Sequence, residues 1–111
     1  KLGVTLALVL GAATAQAQTS IEKAQFPVSG VCDMCQYRIE TAAKIKGVKM
    51  ATWDRNNQSI TVYFKGKKVE LKQIQQAILA AGHDAAGQTA PDSVYLQLPA
   101  CCAYRDGIEV H

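Results

Sequence analysis

Histidine is scarce in this chain: His83 and His111 are the only two in 111 residues. With so few candidates no Ser/His/Asp arrangement can be read, and Asp54 set against Asp33 or Glu40 makes no persuasive paired-carboxylate centre. The chain is therefore read as a binding protein and not as an enzyme. Charge is thin as well, at 19% of residues with a net +3. The basic residues form no clustered stripe within a recognisable nucleic-acid module, which excludes nucleic acid as the expected partner. Low charge beside 49% hydrophobic residues is not the composition of a disordered chain. Internal repeats and low-complexity linkers are missing. So is any apolar run of the about 20 residues that a bilayer span takes.

The apolar run that is present lies at the start. KLGVTLALVLGAATAQAQ offers a lysine, an apolar stretch from Leu2 to Ala13, and small residues at Ala15 and Ala17. This is the pattern of a secretory signal peptide over residues 1–17. Export predicts a periplasmic or otherwise exported protein, in a compartment where disulfides persist. The remainder divides into one domain over 18–88 and a distinct tail over 89–111.

Periodicity orders the domain. Ile21 to Val28 reads as a first strand with Ile21, Ala24, Phe26 and Val28 inward, and Pro27 restricts it to a strand end or sheet edge. The segment from Asp33 repeats Cys35, Ile39 and Ala42 at helical spacing, with Gly47 as its stop. Val48 to Asp54 and Ser59 to Phe64 alternate as strands around the turn cluster RNNQ, and the first carries a break that predicts a bulge. Leu71, Ile74, Ile78 and Ala81 mark a second helix, ended by Gly82. A weak last strand follows. The order is strand, helix, hairpin, helix, weak strand: an α+β, ferredoxin-like βαββαβ sandwich, with two helices on one face of an antiparallel sheet. The tail carries a Cys-Cys pair outside that pattern.

The cysteines come as two tight pairs, Cys32/Cys35 and Cys101/Cys102. Four cysteines in a short exported chain ordinarily indicate a disulfide framework. Closing so short a loop gains little entropy, and adjacent residues are poorly placed for ordinary disulfide geometry. Cys-x-x-Cys at a helix start has three readings: a redox couple, a resting disulfide or a soft-metal site. The aromatic-Gly-Pro surroundings of a thioredoxin-type couple are absent. The helix start lowers thiol pKa, and thiolates bind Cu(I), Zn(II) and similar ions. A closed Zn(II) site usually wants two spaced pairs, which the adjacent second pair does not supply.

GVCDMCQYRIE, then KGV, SITVYF and LKQIQQAILAAGHDA, resembles the heavy-metal-associated domain family from Val28 to about Ala86. That family comprises copper chaperones, metal-binding modules of copper- and zinc-transporting ATPases, and periplasmic mercuric-ion-binding proteins. The resemblance implies the βαββαβ fold and a metal bound by Cys32 and Cys35. Two departures stand out. The family's Met two residues before the first cysteine is Gly30 here, and Met34 lies between the cysteines. The tail resembles the ending of exported bacterial members that finish in Pro-x-Cys-Cys.

The resulting expectation is an exported metallochaperone that passes its ion on by thiolate exchange. Copper(I) is favoured, and mercury(II) or zinc(II) are alternatives. Cys32 and Cys35 are its ligands; Cys101 and Cys102 form a second element that joins them if the tail folds back. His83 stands where the family usually has Tyr, and is expected either as a third ligand or as a group tuning a thiolate. The implied partners are a metal-transporting membrane ATPase or an efflux system, with a metal-bridged homodimer as a further arrangement. The other readings are a metal buffer and a thiol–disulfide oxidoreductase using the same pair.

Overall fold

The computed structural model describes residues 20–111; the expected signal peptide over 1–17 lies outside the described residues. Three antiparallel strands form the sheet: β1 (Glu22–Pro27), β2 (Val48–Asp54) and β3 (Ser59–Phe64), in the order β1-β3-β2. Helices α1 (Asp33–Ala43) and α2 (Leu71–Ala80) pack against each other, and α1 packs on β2. The architecture is the ferredoxin-like sandwich expected from the periodicity.

Register explains the core. Phe26 pairs with Ile60 and Ala24 with Val62, so the even positions of β1 share a face with Ile60, Val62 and Phe64 of β3. Ala51 and Trp53 complete that face from β2. Cys35, Ile39 and Ala43 cover it from α1, and Ile74, Ile78 and Leu79 from α2. Each fully buried Ile among them contributes about 1.5–3 kcal/mol by leaving water.

Four expectations change in detail. Ile21, expected in the core, is 46% exposed, because its odd position points away from the face that holds Phe26 and Val28. Helix α1 stops at Ala43, not at Gly47; Gly47 instead takes φ +99° in the turn that enters β2. The last strand shrinks to single bridges of Ala85 with Val28 and Gln88. Ala86 and Gly87 both adopt positive φ there, which turns the chain before a ladder can extend. A bulge is present in β2, between Val48 and Met50 and not between Met50 and Trp53, where the alternation breaks in the sequence.

The tail folds back over the domain through α3 (Asp92–Tyr95) and two 3-10 turns, Ala100–Cys102 and Tyr104–Asp106. Tyr104 is the pin. Its hydroxyl donates to the Gly82 carbonyl at 2.7 Å and accepts the Asp84 N–H at 3.0 Å. Arg105 reaches the Asp84 carboxylate at 3.0 Å, the Asp92 carboxylate at 2.9 Å and the Ala90 carbonyl at 2.7 Å, with its guanidinium over the Tyr95 ring.

Charge is segregated along the molecule. Every lysine from Lys23 onward lies near the start of β1 or β2, just after β3, or around the facing helix ends. The backbone joins these positions at one end: Glu22 and Val48 both pair with Phe64, and Lys65 N–H donates to Gly47. Arg55, Arg105 and most carboxylates, among them Asp33, Asp54, Asp84 and Asp92, lie toward the opposite end, which carries the cysteine loop, and Arg38 sits midway along α1.

Candidate metal centre

Backbone geometry sets the cysteine loop. β1 runs out at Pro27, and Val28 to Val31 cross the top of the core to Cys32, the N-cap residue of α1. Gly30 is there for a spatial reason. A Cβ on it would lie 2.9 Å from the Trp53 indole and 3.0 Å from the Cys35 Cβ. The Trp53 indole N–H donates to the Val28 carbonyl at 3.0 Å. The volume beneath the loop, which a Met fills in the family pattern, is held here by Trp53 from β2.

Further bonds fix the loop from both sides. Gly30 N–H donates to the Gln58 side chain at 3.1 Å, and Ser29 N–H to the Asp84 carbonyl at 3.0 Å. His83 Nδ1 lies 2.8 Å from the Ser29 carbonyl, which fixes the proton on Nδ1. At the far end of the tail, His111 N–H donates to the Val31 carbonyl, and Arg55 bridges the His111 carbonyl and the Asp33 carboxylate.

Within this frame the sulfurs of Cys32, Cys35 and Cys102 meet. Cys32 Sγ stands 3.7 Å from Cys35 Sγ and 3.8 Å from Cys102 Sγ, and all three lie within 4.8 Å of one another. All are buried free thiols. Cys32 Sγ also lies 3.3 Å from the Cys101 carbonyl oxygen. The tail therefore brings one of its two cysteines into the loop's site. Cys101 faces outward and is exposed. Met34 is 47% exposed on the outer side of the helix start.

Burial alone would raise the Cys32 thiol. The Cys35 backbone N–H, the Cys35 and Cys102 thiols and the Met34 N–H outweigh it and hold Cys32 below the usual thiol range. Burial prevails at Cys35, which is raised, and at Cys102, which is pushed far up by burial and by the two facing sulfurs. Cys32 is thus the most acidic thiol of the trio, and the other two give up their protons only in exchange for a bound cation.

His83 is fully buried and stands behind this cluster, outside the set of mutually close ligand atoms. It stacks on Tyr104 with ring centroids 5.4 Å apart. Burial, reinforced by the Arg38 charge, keeps its pKa below the ordinary histidine value despite the Ser29 carbonyl and Asp84. It serves as a neutral spacer between loop and tail. Its Nε2 has no hydrogen-bond partner among the described residues.

Sequence reasoning named all three sulfur-bearing positions but passed over Trp53 as a support. The signal was the pairing of a Gly at a usually bulky position with the chain's single Trp. Chemically, three convergent sulfurs, with no carboxylate or imidazole joining them among the described residues, form a donor set for a soft ion.

No protein-family model and no curated protein matches the chain. Solved structures do. The apo-form copper chaperone of Enterococcus hirae is 34% identical, with 56% of this chain and 94% of that chain aligned at a TM-score of 0.52. The N-terminal domain of a potential copper-translocating P-type ATPase from Bacillus subtilis, in the Cu(I)-loaded state, is 28% identical. It aligns over 68% of this chain and 96% of its own at 0.57. Oxidized MerP from Ralstonia metallidurans CH34, 20% identical over 60% and 94% at 0.56, shares the fold. With its sandwich, its Cys-x-x-Cys at the start of α1 and nearly the whole of the E. hirae chaperone within its span, the chain belongs to the heavy-metal-associated domain family.

Proposed function

We propose that this protein is an exported carrier of a soft metal ion, Cu(I) first, which captures the ion with Cys32 and Cys35 and passes it to a metal-transporting membrane ATPase or efflux system. The single observation that carries this reading is the reduced Cys32–Cys35 pair, 3.7 Å apart at the start of α1 with Cys32 held below the usual thiol range. The similar E. hirae protein is a copper chaperone and the similar B. subtilis domain is in its Cu(I)-loaded state, which supports the choice of ion. Export rests on the apolar leader with small residues at Ala15 and Ala17. Transfer follows ligand exchange: an incoming thiolate joins the metal, and a cysteine of this chain leaves.

The test is competition with a Cu(I) chelator under anaerobic conditions, after metal analysis of the purified protein. Retention of one Cu(I) per chain against the chelator, abolished by Cys32→Ser, is the expected result. A chain that yields all its copper to a weak chelator overturns the reading. One observation favours a second: a lowered thiol flanked by two others at 3.7 and 3.8 Å is also placed for thiol–disulfide exchange. Rapid equilibration of Cys32 with a glutathione buffer, undiminished by Cu(I), would favour the oxidoreductase.

A further inference from the structure

We propose that the tail carries an internal third ligand: Cys102 occupies the coordination position that a partner's thiolate must take, so the tail is a latch over the ion. This rests on the reading of Cys32 and Cys35 as a soft-metal site and says how that site holds and releases its cargo.

The sulfur separations carry the argument. With metal–sulfur bonds of about 2.3 Å, two thiolates in a linear arrangement stand about 4.6 Å apart, and three around one ion in a plane stand about 4 Å apart. Cys32 lies 3.7 and 3.8 Å from its two neighbours. The loop pair alone is too close for a linear site, and both separations from Cys32 are near those of a three-sulfur one, with Cys35 and Cys102 within 4.8 Å of each other. Cys102 is also as deeply buried as Cys35, although its neighbour Cys101 is exposed. The 3-10 turn after Pro99 thus aims one thiol of the adjacent pair inward.

The latch has its own fastening, separate from the sulfurs. Tyr104 and Arg105 hold the tail to Gly82, Asp84 and Ala90. That same segment holds the cysteine loop through Asp84 and His83 to Ser29. Loosening Arg105 would weaken the hold on the third ligand, so that it leaves sooner, without touching the first two. In the exchange step, a partner thiol gives up its proton and binds the metal through sulfur. The Cys102–metal bond breaks, and Cys102 leaves taking up a proton. No electrons change hands, and the ion stays on Cys32 and Cys35 until the partner's second thiol arrives.

The experiment is X-ray absorption on the full chain loaded with one Cu(I), beside Cys102→Ser and Arg105→Ala, with stopped-flow transfer to a Cu(I) chelator. Three sulfurs at the metal in the parent chain and two in Cys102→Ser are expected. Chelator capture should speed up about tenfold or more in Cys102→Ser, the scale on which even supporting groups are felt at metal sites. Arg105→Ala should keep three sulfurs and still release faster. Two sulfurs in the parent, or a Cys102→Ser chain that matches it in both measurements, overturns the latch while leaving the carrier intact. A parent chain that emerges from desalting without copper instead overturns the underlying reading.

Discussion

The two cysteine pairs of this chain do different things with the same residues. Cys32 and Cys35 are three apart across a helix start, and both sulfurs turn into the same buried space. Cys101 and Cys102 are adjacent on a 3-10 turn, and one sulfur turns in while the other faces solvent. Spacing decides this. Residues three apart on a helix share a side, and neighbours cannot. A pair of the first kind is a site in itself. A pair of the second kind can contribute only one ligand to a site that something else has built.

The sharpest way to break the comparison is to remove a loop thiol. Cys32→Ser or Cys35→Ser is expected to weaken Cu(I) binding by orders of magnitude in chelator competition, with circular dichroism unchanged. A Cys35→Ser chain that binds as the parent does would place the site elsewhere. Next in size is the support beneath the loop. Gly30→Met forces a side chain against the Trp53 indole and should cost about 1–3 kcal/mol of stability, read from the urea midpoint. Pairing it with Trp53→Val should recover part of that loss. Recovery would show that Gly30 and Trp53 share one volume; additive costs would show that they do not.

A smaller effect sits where loop and tail meet. His83 is held below the ordinary histidine value by burial, so it stays neutral in the folded protein. Above about pH 6.5 the unfolded chain is neutral there too, and His83 contributes no pH dependence. As the pH falls through that value, the unfolded chain takes up a proton that the folded one refuses. Stability should then drop with a slope of up to about 1.4 kcal/mol per pH unit. His83→Phe should flatten this slope in urea titrations between pH 7 and 5. An equal slope in the variant would assign it to other groups. The smallest effect belongs to the outward thiol. Cys101→Ser is expected to leave Cu(I) affinity and transfer rate as they are, while Cys102→Ser changes both. Equal responses from the two would erase the distinction between them.

Much of this was legible in the order of residues. Period-two alternation over SITVYF and the apolar stripe of α2 gave the strands and helices, and the Cys-x-x-Cys spacing gave the loop pair. What was not legible came from contacts between distant segments. Nothing local to Ala85 reveals that Ala86 and Gly87 would turn the chain and leave a single bridge in place of a strand. Nothing in CCAY says which of two adjacent thiols enters the core, because that depends on where Tyr104 and Arg105 are anchored. His83 could be placed beside the loop by resemblance. Its role as a buried spacer between Ser29 and Tyr104 needed the tail in position.

The separation of lysines from carboxylates gives the molecule a permanent electric moment along its length, with the sulfurs at the negative end. In the field of a positively charged surface the protein feels a torque before it feels a contact, within a screening distance of about 10 Å at 0.1 M salt. Collisions with such a partner are enriched in sulfur-first orientations, and for the proposed transfer added salt is expected to slow hand-over without changing affinity at the site. A negatively charged thiol carrier is turned the other way. It meets the lysines first and finds no sulfur there.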